Sequence, residues 1–286
     1  NTKNYGTAKT KHADNAKIGA GLRESDLEQG KIDMAYFERT FRGPILKSKL
    51  TVGRHFTKVG RGIAYGLTAD GVSWNSKGKK MDLTVMLLRQ NPGDNNIDNL
   101  SPVSGRTKRM FYGVEYRHKV RAWLKLDAFT LWNDDRNTDN PYALVAGVVQ
   151  RSQFESKYFG VGAEGTLFSK LNYWSEFIIA RGKTYNAATA AVAASKVGVD
   201  ASALDVGMKY TFGGDLAPTV FTEYAFGSGD ADRTNNVTSS SGGSSHGDDR
   251  AFRSFGGLAI GDDLAATLAN IRAIKAGATI KPFGRL

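Results

Sequence analysis

The chain has no cysteine among its 286 residues. Disulfide bridges and thiolate-held metals are therefore excluded, and so is any haem bound through cysteine. Proline is scarce at 6 residues. No apolar run approaches the roughly 18 residues of a helical membrane span. That excludes helical spans but not a membrane barrel, whose strands alternate and look hydrophilic on average. The four histidines, His12, His55, His118 and His246, are scattered without metal-ligand spacing. Gly60-Arg61-Gly62 is too short to cradle a nucleotide phosphate. The loop acids Asp230, Asp232, Asp248, Asp249, Asp262 and Asp263 lack the regular spacing of a calcium loop. These absences predict a chain that is not an enzyme and carries no cofactor or metal.

What is present is glycine, at 33 residues, and aromatics, at 10% of the chain. Together with the lack of amphipathic helical periodicity they indicate an all-β protein. Lysine and arginine outnumber aspartate and glutamate 39 to 28, a net charge of +11. A basic excess of this size suggests a polyanionic partner. Nucleic acid is a poor match, because the bases are spread over every candidate strand and do not interleave with aromatics on one face.

The clearest pattern lies between Asp205 and Gly229. Val206, Met208, Tyr210 and Phe212 alternate with Asp205, Gly207, Lys209 and Thr211, then Gly213-Gly214-Asp215 turns the chain into a second strand ending near Phe226. A polar loop opens at Gly227-Ser228-Gly229-Asp230. The same unit recurs along the chain, giving about eleven strands. Short turns are expected near residues 43, 78, 119, 170 and 214, and long loops near 62, 99, 145, 193 and 247. This parsing treats Tyr142–Val149 as a small extra strand or a segment folded into a cavity, not as a wall strand. It reads Thr57–Thr68, Trp132–Lys157 and Lys183–Ser202 as long connections, the last with a helical turn near 187–194. Residues 1–30 are polar and mostly loop, and 1–286 reads as one domain.

Alternating short turns and long loops mark an antiparallel transmembrane β-barrel of the outer-membrane type. Aromatics near strand ends, among them Phe56, Trp74, Phe111, Trp132, Tyr158 and Phe212, suit interfacial girdles. A soluble β-domain, which detergent-free extraction would establish, is the competing fold.

With apolar faces toward lipid, the opposite faces line a lumen. Glu115, Arg117, Lys125, Asp127, Glu164, Glu176, Asp205, Lys209, Lys275 and Asp82 then point inward. Pairs such as Glu115/Arg117 and Asp205/Lys209 either brace the wall or form an electrostatic track for anions. Arg54, Arg61, Arg250, Arg253 and Arg272 are further candidates, arginine being suited to carboxylates. Arg54 shares the parity of Leu50 and Val52 and so faces out by strict alternation; either it sits at the membrane edge or a bulge turns it into the lumen. Arg253, in a long loop, would fold into the pore mouth.

Several short motifs, in order, resemble the alginate export family of outer-membrane barrels. They are Gly53-Arg54-His55, Asp70-Gly71-Val72, Tyr112-Gly113-Val114-Glu115-Tyr116 and Leu126-Asp127-Ala128-Phe129, then Tyr224–Asp230, Arg250–Gly256 and Leu268-Ala269-Asn270-Ile271. The resemblance implies an even-numbered barrel of about 16–18 strands, so this chain reads as part of a larger one. The start at Asn1 and the ending Pro282–Leu286 are read the same way. It also implies a porin-like channel in the outer membrane of a Gram-negative bacterium, in contact with lipopolysaccharide. Such a channel would pass an acidic polysaccharide or small anions through a basic lumen. The alternative is a sheath enclosing a periplasmic or extracellular partner such as a multihaem cytochrome.

Overall fold

A computed structural model describes residues 2–3, 31–32, 34–90, 109–136, 142–145, 148–151, 153–186, 188, 191–233, 244–245, 247–256 and 268–281. Among the described residues, eleven antiparallel strands form one sheet in sequence order. They are β1 (Ala35–Arg42), β2 (Lys47–Val59), β3 (Tyr65–Lys77), β4 (Met81–Arg89), β5 (Arg109–Arg121) and β6 (Leu124–Asp135). There follow β7 (Phe154–Leu167), β8 (Leu171–Tyr185), β9 (Lys196–Thr211), β10 (Thr219–Gly227) and β11 (Ile271–Thr279). Most exceed the 5–6 residues usual in soluble sheets and suit a tilted bilayer crossing of about 9–11. Each pairs with its neighbour in sequence, an up-and-down meander. Among the described residues no pairing joins β1 to β11, so the sheet is curled but open.

Side-chain parity sorts the two faces. On β6, Phe129, Leu131, Asn133 and Asp135 are buried while Leu126 and Trp132 are exposed. On β7, Phe154, Ser156 and Tyr158 are buried while Phe159 and Val161 are exposed. The exposed face carries rungs of apolar residues in register across β5–β8: Val114, Thr130, Phe159, Ile179, then Tyr116, Ala128, Val161, Phe177. A water-facing sheet would not tolerate so broad an apolar surface, whereas acyl chains match it. The concave face holds the core.

Several expected boundaries move. The long loop expected at Thr57–Thr68 shrinks to residues 60–64, because β2 runs to Val59 and β3 starts at Tyr65. Its glycines masked a continuous strand pattern. The turn expected at His118–Val120 lies at 122–123, after a register irregularity between Lys119 and Arg121. The wall strands also extend into the connections expected at Trp132–Lys157 and Lys183–Ser202. Tyr142–Val145 and Val148–Arg151 pair as a separate ribbon outside the sheet, as their exclusion from the wall requires. No helical turn occurs among the described residues of 187–194. Thr2–Lys3 pairs with Lys31–Ile32; the rest of residues 1–30 and the long loop expected near residue 99 lie outside the described residues. Phe111 and Tyr158 are not girdle residues. Their parity turns them inward, and both are fully buried.

Candidate functional site

The concave face divides into an apolar half at the long-loop end and a charged half toward the short turns. The apolar half is crossed by a segment of the β10–β11 loop, residues 249–256, which forms a strap. At one end it bonds to β9: Asp249 N–H donates to Gly198 O (2.9 Å) and Asp200 N–H donates to Asp249 O (3.0 Å). At the other end it meets the β2–β3 connection: Phe255 N–H donates to Ala64 O (3.1 Å) and Gly66 N–H donates to Phe255 O (3.1 Å). These are isolated parallel bridges, Val199 with Asp249 and Tyr65 with Phe255. Gly256 passes so close to Gly62 and Ile63 that any side chain there would overlap their carbonyls.

The strap contributes Phe252 and Phe255 to the core. Phe255 packs against Phe111 (ring centroids 4.9 Å), Phe154 (6.2 Å) and Tyr158 (6.2 Å). Tyr158 O–H donates to Arg253 O (2.8 Å). Two fully buried ion pairs flank this packing. Arg109 Nη2 lies 2.9 Å from Asp135 Oδ2, which also accepts from Phe154 N–H (2.9 Å). Asp249 receives Arg253 and Arg233, the latter at 2.6 Å. Burial pushes the Arg253 guanidinium down to about 10, which still leaves it protonated at neutral pH.

Arg61 marks the boundary between the halves. The β2–β3 connection folds inward, and Arg61 reaches β8 and β9 on the far wall. Its N–H donates to Glu176 Oε2 (2.6 Å), its Nε donates to Asp205 Oδ2 (2.6 Å), and its guanidinium sits 4.6 Å above the Trp174 ring. A flat sheet could not make these contacts. Gly60, at φ +54°, enables the approach: a Cβ there would collide with Glu176 Oε2 and Phe129. Below lie further paired charges, Arg117 with Glu115 (2.8 Å) and Lys125 with Glu164 (3.1 Å). One cavity of about 190 Å³ is lined by Lys58, Arg61, Arg117, Asp127 and Glu164. Another of about 430 Å³ is lined by Lys49, Lys77, Asp82, Glu115 and Arg117 among others. Paired charges surround these cavities, and the strap and the β2–β3 connection cross the concave face toward the long-loop end.

A family model described as alginate export matches residues 11–286. The chain belongs to the alginate export family. As a member, with an apolar belt outside an antiparallel wall, it is a β-barrel protein of the Gram-negative outer membrane. No curated protein matches the chain. Similar solved structures include three of OmpT, an outer membrane protein of Vibrio cholerae. The trimer form gives TM-score 0.42 and 11% identity, over 85% of this chain and 64% of that one. An in-vitro folded form gives 0.38 and 8%, over 67% and 53%. A loop L8 deletion mutant gives 0.38 and 9%, over 66% and 56%. The chain thus spans less than two thirds of each of these relatives.

In this family member, Glu115, Arg117, Lys125, Asp127, Asp205, Lys209 and Lys275 stand on the concave face, at the register positions of its buried residues. Arg54 and Arg272 do not. Arg54 stays at outward parity and is clamped by Asp70 through two bonds, Nε to Oδ1 (2.8 Å) and Nη2 to Oδ2 (3.0 Å). No bulge reverses it. Arg272 also faces outward, 5.7 Å from the Phe226 ring. Arg253 does fold inward, but it is spent on Asp249 and stacked on Phe154 at 4.3 Å, so it offers no charge to a passage. Asp205 pairs with Arg61, not Lys209. Arg109, Asp135 and Trp174 escaped sequence reading. The inward parity of Arg109 with Phe111, and of Asp135 with Leu131, was the available signal.

Proposed function

We propose that this chain forms the wall of an outer-membrane conduit for an acidic polysaccharide or small anions, closed at the long-loop end by the strap. Family membership supports transport, and the observation that carries the reading is the strap itself, which spans the concave face from β9 to the β2–β3 connection. Inward cations at the short-turn half, including Lys49, Lys77, Arg117, Lys125, Lys209 and Lys275, would meet an entering anion. The carboxylates among them, Glu115, Asp127, Glu164 and Asp205, would keep its binding weak enough for release. The chain acts as a passive channel, not an enzyme. The strap and the β2–β3 connection occupy part of the concave face at that half, which favours a channel over a sheath around a periplasmic or extracellular partner.

Reversal potentials in planar bilayers under a salt gradient test the charge preference. Anion selectivity is expected, and it should fall when Arg117 and Lys125 are both replaced by glutamine. Cation selectivity in the unaltered protein would refute the anionic cargo.

A further inference from the structure

The outward face carries a second charged feature, far from the lumen. At the long-loop end, one rung of register partners crosses five strands: Tyr112, Trp132, Lys157, Arg181 and Asp200. Lys183 stands one rung further out, opposite Glu155. Lys157 Nζ lies 4.6 Å above the Trp132 ring. Arg181 is held by Asp200 on β9. Among the described residues neither Lys157 nor Lys183 makes an ion pair, and Glu155 is shared with Lys196 at 3.7 Å. The rung next toward the middle is the apolar one through Val114, Thr130, Phe159 and Ile179.

The opposite rim differs. From the Ala128–Val161–Phe177 rung down to the short turns, the outward positions of β6–β9 include no lysine, arginine, aspartate or glutamate. An ordinary solvated rim would place charges at both ends. Cations gathered at one edge of an apolar belt, beside exposed Trp132 and half-buried Tyr112, match a lipid whose headgroup is anionic in one leaflet only.

We propose that Lys157, Arg181 and Lys183 seat the phosphates of an outer-leaflet glycolipid such as lipid A, with its acyl chains lying on the belt beneath. Arg181 offers a planar fork for phosphate oxygens, oriented by Asp200, and the two lysines add point charges on either side. Trp132 packs at the junction of headgroup and chains. Continuity with the apolar belt selects a lipid phosphate over a free one. The seat depends on the long loops facing the cell exterior and not on conduction, so a variant that loses lipid but still passes ions separates this site from the lumen.

The test titrates the detergent-solubilised protein with diphosphoryl lipid A and with its dephosphorylated form, reading bound lipid by native mass spectrometry. The phosphorylated lipid should bind at least about tenfold more tightly. Replacing Lys157, Arg181 and Lys183 together by glutamine should abolish that preference, whereas Lys170→Gln at the opposite rim should leave it intact. Equal affinity for the two lipids in the unaltered protein overturns the proposal, and this comparison needs no variant to fold. Retention of the preference in the triple variant, or displacement of the lipid by millimolar inorganic phosphate, overturns it too.

Discussion

Replacing residues 249–256 by a flexible Gly/Ser linker should convert a nearly closed protein into one with clear, severalfold larger conductance steps in planar bilayers. The strap is the element that bridges β9 and the β2–β3 connection across the concave face. Its removal takes away Phe252 and Phe255, which fill the centre of the apolar half. It also removes Asp249 and Arg253 together, and because buried Arg233 loses its Asp249 contact, Arg233→Gln should accompany the replacement. The wall itself should survive, because each strand keeps its full ladder to its neighbours. Unchanged conductance would mean that the obstruction lies elsewhere, with the Arg61 bridge the next element to remove.

Arg109→Ala should destabilise the protein by about 3–5 kcal/mol, the usual cost of stripping one partner from a buried ion pair. Arg109 and Asp135 are both wholly inaccessible, and alanine would take the guanidinium away from the buried Asp135 carboxylate, which also accepts from Phe154 N–H. Part of the loss would come from the guanidinium's packing beside Phe255, 5.7 Å from its ring. Replacing Arg109 by methionine and Asp135 by leucine together should restore most of the stability, since two apolar groups of similar volume carry no desolvation cost. Restoration should be incomplete, because Phe154 N–H loses its acceptor. Thermal unfolding in detergent micelles measures both. A single variant with unaltered unfolding would show that the pair is not buried as described.

The wall was legible in the sequence because a period of two survives any tertiary context that keeps one face in lipid. Val206, Met208 and Tyr210 point outward as their alternation requires, and Glu115 with Arg117, two apart on one face, pair as their spacing suggests. Contacts that depend on register between strands were not legible. Lys125 meets Glu164 across the β6–β7 ladder and not Asp127 on its own strand. Asp205 is taken by Arg61 from across the concave face, a pairing no local spacing encodes. The strap was the least visible part. Arg250–Gly256 has no strand pattern, and only its position between β9 and the β2–β3 connection makes Phe252 and Phe255 core residues. Arg54 is the instructive case: plain parity sets it outward, and no bulge in the β2–β3 ladder brings it into the lumen.

Because the chain has no cysteine, a single thiol placed in the strap reports its position directly. Phe252→Cys, labelled with a membrane-impermeant maleimide, should react far more slowly than Phe168→Cys in the exposed β7–β8 turn, since Phe252 is fully buried and Phe168 is 87% exposed. Labelling of the two at equal rates in the folded protein would contradict a strap lodged within the wall.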